Sequence, residues 1–160
     1  MTVKVLFVCL GNICRSPTAH GVFIRQVFDA GLFGVITVDS AGTSGWHEGN
    51  PPDSRSAQEA RTKGYDLSFI RSRQVQPEDF VEQHLILAMD EDNLSALKSQ
   101  CPAEHQEKLH LFLDLANDIT TREVPDPYYG GNEGFSRVLM LIEHGGQALL
   151  DYIQKTYLSR

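Results

Sequence analysis

The residue types best suited to chemistry lie close together near the start of the chain. Cys9 and Arg15 bound a short segment that reads Cys-Leu-Gly-Asn-Ile-Cys-Arg. Gly11 and Asn12 tolerate a left-handed backbone, so the segment can turn successive N–H groups inward as a nest for an anion. Arg15 can add paired hydrogen bonds to two oxygens of a phosphate. We therefore predict a phosphate-binding loop formed by Leu10, Gly11, Asn12, Ile13, Cys14, Arg15 and Ser16.

Cys9 is predicted to be a nucleophile in this loop. The thiolate is the reactive form of cysteine, and helix N-termini and neighbouring cations favour it. The Ser16 hydroxyl can donate a hydrogen bond to the sulfur, and a thiolate inside a phosphate cradle is suited to in-line attack on phosphorus. Two alternatives are weaker: a small buried thiol, or a metal site with Cys14, for which no second Cys/His pair stands at zinc-like spacing.

A candidate general acid lies near the other end of the chain. Asp126 stands between two prolines, and two tyrosines and two glycines follow. Such a carboxyl group can protonate a leaving oxygen, which contributes about 10²–10⁴ in rate. Alone, the segment would be interpreted as a surface turn, because Pro, Asp and Gly are turn residues. Together with a phosphate loop, the acid is the better interpretation.

Aromatic side chains are predicted to form an apolar slot above Cys9. The only tryptophan, Trp46, lies in a loop rich in Gly and Pro, which favours a surface position over the core. A flat aromatic substrate can stack between such walls. The predicted lining is Ile13, Trp46, Tyr128 and Tyr129.

Regular elements must bring these residues together. The apolar, β-branched stretch 3–9 predicts a buried parallel strand that ends at Cys9, and Ser16 with Pro17 predicts a helix start. Further strands are predicted at 35–40, 85–89 and 109–113, and further helices at 53–63, after the cap Asp90, and from Phe135 onward. Strands separated by helices imply an α/β fold with a parallel sheet covered on both faces. Ligands bind such sheets at the carboxyl ends of the strands, where Cys9 stands.

Composition fits one globular domain over residues 1–160, with 41% hydrophobic and 22% charged residues. The net charge of −7 argues against nucleic acid or an anionic membrane as partner. Three cysteines are too few for a disulfide framework. Neither a secretory signal nor an apolar run of membrane-spanning length is visible. These features predict a cytoplasmic protein.

Four motifs make the chain resemble the low-molecular-weight protein tyrosine phosphatase family over nearly its whole length. They are the segments 8–17 (VCLGNICRSP), 39–43 (DSAGT), 46–49 (WHEG) and 126–129 (DPYY). The resemblance implies a three-layer α/β/α sandwich with a central four-stranded parallel sheet, flavodoxin-like or Rossmann-like. It also implies hydrolysis of phosphotyrosine in proteins without a metal or other cofactor, and inhibition by inorganic phosphate or other oxyanions.

The resemblance also implies roles for individual residues. Cys9 would form a phosphocysteine while Asp126 protonates the tyrosyl oxygen, and Asp126 would then activate water. Asn12, in a left-handed conformation, would be held by the Ser40 hydroxyl. Under oxidation Cys14 would form a reversible disulfide with Cys9, which protects the nucleophile from irreversible oxidation.

One position departs from the family pattern. Family members often carry a histidine that supports the loop asparagine, and Ile70 stands there in this chain. Support of the loop is therefore expected to differ.

Four alternative functions are less consistent with the residues. Arsenate reductases of the same fold use further cysteines in the second half of the chain, where only Cys101 occurs. Protein-arginine phosphatases tend to carry a small polar residue in place of Ile13. A non-catalytic phosphate-binding module needs neither a nucleophile nor an acid. A thiol redox protein using Cys9 and Cys14 would reduce disulfides without phosphatase turnover.

Overall fold

The computed structural model describes residues 2–128 and 131–159, and in this part of the chain four strands form one sheet. The strands are β1 (Val3–Cys9), β2 (Ile36–Gly42), β3 (Leu85–Ala88) and β4 (Leu109–Leu111). Their order is β2-β1-β3-β4, and each neighbouring pair is parallel. The predicted four-stranded parallel sheet is confirmed. Because β1 is a central strand, its carboxyl end lies between β2 and β3.

Helices connect and cover these strands. They are α1 (Arg15–Asp29), α2 (Ser54–Thr62), α3 (Pro77–Glu82), α4 (Glu91–Gln100) and α5 (Asn132–Thr156), with short 3-10 helices at Ala103–Lys108 and Phe112–Leu115. Helix α3 was not predicted from the sequence, although Gln76 and Asp79 form a capping box around Pro77. Among the described residues, no helix combines the length and the apolar composition that a membrane crossing requires.

Alternate residues of β1 face different helices. Phe7 packs on the side of α1 and α5, with its ring centre 5.8 Å from that of Phe23 and 5.2 Å from that of Phe112. Leu6 points to the opposite face, where it packs with Phe80 of α3 and Leu94 of α4. Since a strand alternates its side chains between the two faces, β1 is buried on both sides. The predicted α/β/α sandwich is confirmed.

Among the predicted boundaries that differ from the structure, two have a clear physical cause. Helix α1 begins at Arg15, and the cap position belongs to Cys14 instead of Ser16. The Ser16 hydroxyl is engaged with Cys9 and Asn12, so it does not cap the helix. Strand β4 ends at Leu111 instead of residue 113, because the chain turns there into a 3-10 helix.

The pair Gly145 and Gly146 in the middle of α5 has a packing reason. A Cβ atom at Gly145 would lie 2.9 Å from side-chain atoms of both Leu113 and Phe112. A Cβ atom at Gly146 would collide with the Gln26 side chain of α1. The two glycines therefore allow α5 to pack closely against α1 and the chain after β4.

Candidate active site

The loop after β1 has the left-handed turn that its sequence predicts. Cys9 is the last residue of β1 and is buried. Asn12 has a φ of 57°, a backbone conformation that asparagine tolerates better than most residues. Arg15 then starts α1, whose first N–H groups have no acceptor within the helix. The loop therefore leads directly from the end of a strand to the positive end of a helix dipole.

The surrounding scaffold holds the carbonyl groups of this loop. The contacts are the Ser44 N–H to Leu10 O (2.9 Å), the Ser72 hydroxyl to Gly11 O (2.9 Å) and the Asp53 N–H to Ile13 O (2.7 Å). Within residues 2–128 and 131–159, the N–H groups of residues 10–14 donate no hydrogen bond. A loop with its carbonyls bound by the scaffold and its N–H groups available is a nest for an anion.

Arg15 is anchored on one side of its guanidinium. Its Nη1 donates to Asp90 Oδ2 at 2.6 Å and to the Val124 carbonyl at 3.0 Å. Its Nη2 lies 3.7 Å from Asp126 Oδ2. Since Nη1 has two hydrogens and both are used, Nε and Nη2 remain for a bidentate contact with an oxyanion. Asp90 was predicted only as a helix cap. Its position just after β3, the strand beside β1, could have suggested this contact.

Ser16 links the nucleophile to the turn. Its Oγ lies 3.1 Å from Cys9 Sγ and accepts a hydrogen bond from Asn12 Nδ2 at 2.8 Å. The Ser16 hydroxyl can then donate its proton either to the Cys9 sulfur or to the Ala41 carbonyl oxygen, which lies at 3.3 Å. A hydroxyl placed in this way can stabilise a thiolate by hydrogen bonding.

The expected contact between Ser40 and Asn12 is replaced by another arrangement. Ser40 Oγ lies 2.8 Å from Nδ1 of His20, a buried residue of α1. The Asn12 Oδ1 atom accepts instead from the Arg73 N–H at 3.1 Å. The prediction was wrong because a helix residue, His20, engages the Ser40 hydroxyl.

Ile70 packs in a small apolar cluster with Ala60 and Leu67, so it offers the loop no polar support. His20 supplies an imidazole beside Ser40 from a different element. The sequence carries no local signal for this contact, because it depends on how α1 packs against β2.

Burial lowers the pKa of His20 to about 4, with nearby Asp39 opposing this shift and Arg73 reinforcing it. The ordinary value is 6.5, so the unfolded chain binds a proton between about pH 6.5 and 4 while the folded protein does not. Stability is therefore expected to fall as the pH is lowered through this window. Thermal unfolding between pH 4 and 7 should show a loss of melting temperature about 5 °C smaller in His20→Gln than in the wild type. Equal losses in the two proteins would contradict this role of His20.

Cys14 is a buried residue of the loop, and its environment differs from the one predicted for the reactive thiol of Cys9. Its pKa is raised to about 12, chiefly by burial and then by the nearby Asp53 carboxylate. Cys9, Cys14 and Cys101 are all free thiols. Cys14 is therefore a neutral thiol at neutral pH.

One cleft of about 80 Å³ collects most of the predicted site residues. Its lining consists of Cys9, Leu10, Gly11, Ile13, Cys14, Arg15, Trp46, His47, Asp126 and Tyr128. Trp46 is 80% exposed at the mouth. Tyr129, the remaining predicted slot residue, lies outside the described residues.

No role was predicted for His47, although the residue lies next to Trp46 in the sequence and lines the same cleft. A Cβ atom at Gly11 would lie 2.8 Å from His47 Cδ2, so glycine allows the imidazole to approach the loop. The His47 ring centre is 6.3 Å from that of Tyr128. His47 therefore joins the two sides of the mouth.

Asp126 stands at the entrance of the cleft with its side chain 42% exposed. Its Oδ1 accepts a hydrogen bond from the Tyr128 N–H at 3.1 Å, and its Oδ2 faces Arg15. The carboxyl group is thus partly exposed and faces the guanidinium of Arg15.

Comparisons with known proteins agree on one family. The family model for low molecular weight phosphotyrosine protein phosphatase matches residues 4–158. The Bacillus subtilis low molecular weight protein-tyrosine-phosphatase YfkJ is 42% identical over 153 residues, covering 96% of this chain and 97% of the relative. A protein tyrosine phosphatase from Entamoeba histolytica, solved with Hepes in the active site, superposes with a TM-score of 0.94 at 40% identity, covering 96% and 98% of the two chains. Vibrio vulnificus Wzb, solved in complex with benzylphosphonate, superposes with a TM-score of 0.82 at 30% identity, covering 95% and 99%.

Proposed function

The chain belongs to the low molecular weight phosphotyrosine protein phosphatase family, and we propose that it hydrolyses phosphotyrosine in proteins through a phosphocysteine intermediate, without a metal. That it is a phosphatase follows from the family. The observation that supports the mechanism is a single cleft in which Cys9, Arg15 and Asp126 meet. The family match over residues 4–158 supports a single phosphatase domain.

In the first step, the phosphoryl group binds in the nest of N–H groups, with Arg15 Nε and Nη2 on two of its oxygens. The Cys9 thiolate attacks phosphorus opposite the ester oxygen, so an S–P bond forms as the P–O bond breaks. Asp126 gives its proton to the departing tyrosyl oxygen. The N–H groups and Arg15 face the charge that builds on the phosphoryl oxygens and thereby stabilise the transition state.

In the second step, the phosphocysteine is hydrolysed. The Asp126 carboxylate takes a proton from water, and the water oxygen attacks phosphorus. The S–P bond breaks, Cys9 leaves as a thiolate, and inorganic phosphate is released. The Ser16 hydroxyl, 3.1 Å from the sulfur, can stabilise this leaving thiolate by a hydrogen bond.

The walls of the cleft suit an aromatic phosphoester. Ile13, Trp46 and Tyr128 line it together with Cys9, and aromatic rings favour stacking or edge contacts with aromatic side chains such as Trp46 and Tyr128. Benzylphosphonate in the Vibrio relative is an aromatic ligand of this kind. The names of the relatives favour phosphotyrosine over phosphoarginine or arsenate. Inorganic phosphate and other oxyanions would compete for the same nest.

Cys14 is proposed as the redox partner of Cys9. If an oxidant converts Cys9 to a sulfenic acid, attack by Cys14 sulfur forms the disulfide and releases water. Because the pKa of Cys14 is about 12, this attack is slow at neutral pH. A nucleophile that must stay reduced also supports a cytoplasmic location.

Steady-state hydrolysis of p-nitrophenyl phosphate and a phosphotyrosine peptide, each with EDTA present, tests the proposed function. Both substrates are expected to turn over at rates that EDTA does not change, because the mechanism uses no metal. Absence of turnover on both would contradict the phosphotyrosine assignment, and phosphoarginine and arsenate would then be the substrates to assay. Loss of activity with EDTA would contradict the metal-free mechanism.

A further inference from the structure

Arg55, the second residue of α2, joins parts of the site that the mechanism leaves separate. Its Nη2 donates to the Tyr128 carbonyl at 2.8 Å and to Asp53 Oδ2 at 3.1 Å, and its Nε donates to Asp53 Oδ1 at 3.2 Å. The guanidinium carbon lies 4.6 Å from the centre of the Phe135 ring of α5 and 5.6 Å from that of Tyr128. Arg55 thus connects the N-cap of α2, the segment that carries Asp126, and the start of α5.

The contacts of Arg55 connect the acid to the phosphate loop. The Tyr128 carbonyl accepts a hydrogen bond from Arg55, and the Tyr128 N–H donates to Asp126 Oδ1 at 3.1 Å. The Asp53 carboxylate accepts hydrogen bonds from Arg55, and the Asp53 N–H donates to the Ile13 carbonyl at 2.7 Å. A continuous series of contacts therefore runs from Asp126 to the wall of the nest, and Arg55 is its centre.

The backbone of the segment around Asp126 makes few hydrogen bonds among the described residues. Pro125 and Pro127 have no N–H group, and among the described residues no backbone–backbone hydrogen bond involves residues 125–127. Val124, just before them, is held by its N–H to the Met89 carbonyl at 2.8 Å. The backbone is thus hydrogen-bonded before the segment at Val124, and after it Arg55 donates to the Tyr128 carbonyl.

The ion pair of Arg55 with Asp53 contributes little to stability by itself, since the Arg55 side chain is 39% exposed. The paired hydrogen bonds, however, fix the orientation of the guanidinium, because Nε and Nη2 of one planar group donate to the two carboxylate oxygens of Asp53. The ring contacts with Phe135 and Tyr128 further restrict the guanidinium plane. The arrangement is suited to holding the Tyr128 carbonyl at a set place.

We propose that Arg55 is a positioning residue that holds Asp126 where it can protonate the leaving oxygen. Arg55 itself does not line the cleft, so it acts through Tyr128. This inference rests on the proposed function, in which Asp126 is the general acid. Its consequence is selective: proton transfer matters most for a basic leaving oxygen, so loss of Arg55 affects poor leaving groups most.

The test compares phenyl phosphate with p-nitrophenyl phosphate, two substrates of similar shape whose leaving groups differ in acidity. Arg55→Met keeps an apolar stem against Phe135 and removes the donors. It is expected to lower kcat/KM about tenfold for phenyl phosphate and less than about twofold for p-nitrophenyl phosphate. Arg55→Lys, which keeps the charge and one donor group, is expected to recover part of the loss. The matched control is Arg25→Met, which removes an exposed arginine of α1 that pairs with Asp29, and should change neither rate.

Asp126→Ala, measured in parallel, separates this inference from the proposed function. The double variant of Arg55→Met and Asp126→Ala is expected to be no slower on phenyl phosphate than Asp126→Ala alone, because both changes remove the same step. If Arg55→Met slows both substrates equally while Asp126→Ala remains selective, Arg55 has only a structural role and the inference fails alone. If Asp126→Ala is also unselective, the acid assignment fails and the inference with it. Partial unfolding of a variant lowers the amount of active enzyme equally for both substrates. The ratio of the two kcat/KM values therefore does not depend on the folding yield.

Discussion

Cys9→Ser is expected to lower hydrolysis of a phosphotyrosine peptide by about 10⁴-fold or more. A serine hydroxyl is far less acidic than a thiol, so it supplies little nucleophile at neutral pH. The N–H nest, Arg15 and the anchor of Arg15 on Asp90 are untouched by this change. Inorganic phosphate should therefore still bind, which a phosphate-dependent rise in melting temperature would measure.

Cys101→Ser is the matched control for this experiment. Cys101 is another buried, free cysteine, and it packs with α3 and α4 on the face of the sheet away from α1. Full activity in Cys101→Ser with loss in Cys9→Ser would assign the reaction to one thiol. Comparable activity in Cys9→Ser and the wild type would remove Cys9 from the nucleophile role. Loss of phosphate binding together with activity would mean that the substitution had disturbed the nest.

Asp126→Ala is expected to lower kcat/KM for phenyl phosphate by about 10²-fold or more, with a much smaller loss for p-nitrophenyl phosphate. Phenoxide is the more basic leaving group, so its departure depends on a proton from Asp126. The p-nitrophenoxide ion is stable enough to leave without one. The carboxyl group stands at the mouth, 3.7 Å from Arg15 Nη2, so its removal leaves the nest and the nucleophile in place.

Asp29→Ala provides the control, because Asp29 is an exposed carboxylate at the end of α1 that pairs only with a surface arginine among its described contacts. It should leave both rates unchanged. Equal losses on the two substrates in Asp126→Ala would instead indicate a role in binding or folding. The carboxylate would then need a different assignment, and another group would have to serve as the acid.

Much of the architecture is determined locally, which is why it could be predicted from sequence. The apolar run of β1 and the caps Asp53 and Asp90 are visible within a few residues, and each marks an element that the structure contains. Short elements were missed or misplaced at their ends, as with α3 and β4, because few residues define them and packing decides their limits.

The sequence by itself determined the composition of the phosphate loop and its left-handed turn at Asn12, because backbone preference is a property of residue type and near neighbours. It also determined that Cys9 stands at the end of an apolar, β-branched strand. These features depend on contacts within about ten residues.

Only the tertiary structure decided which side chains support the reactive ones. The Arg15–Asp90, Arg55–Tyr128 and His20–Ser40 contacts join residues 75, 73 and 20 positions apart. Each contact depends on the packing of a helix or loop against the sheet, so the residues near each side chain in the sequence do not predict its partner. The contact between Ser40 and Asn12 was expected from the family resemblance, and it does not form because α1 packs with His20 beside the Ser40 hydroxyl.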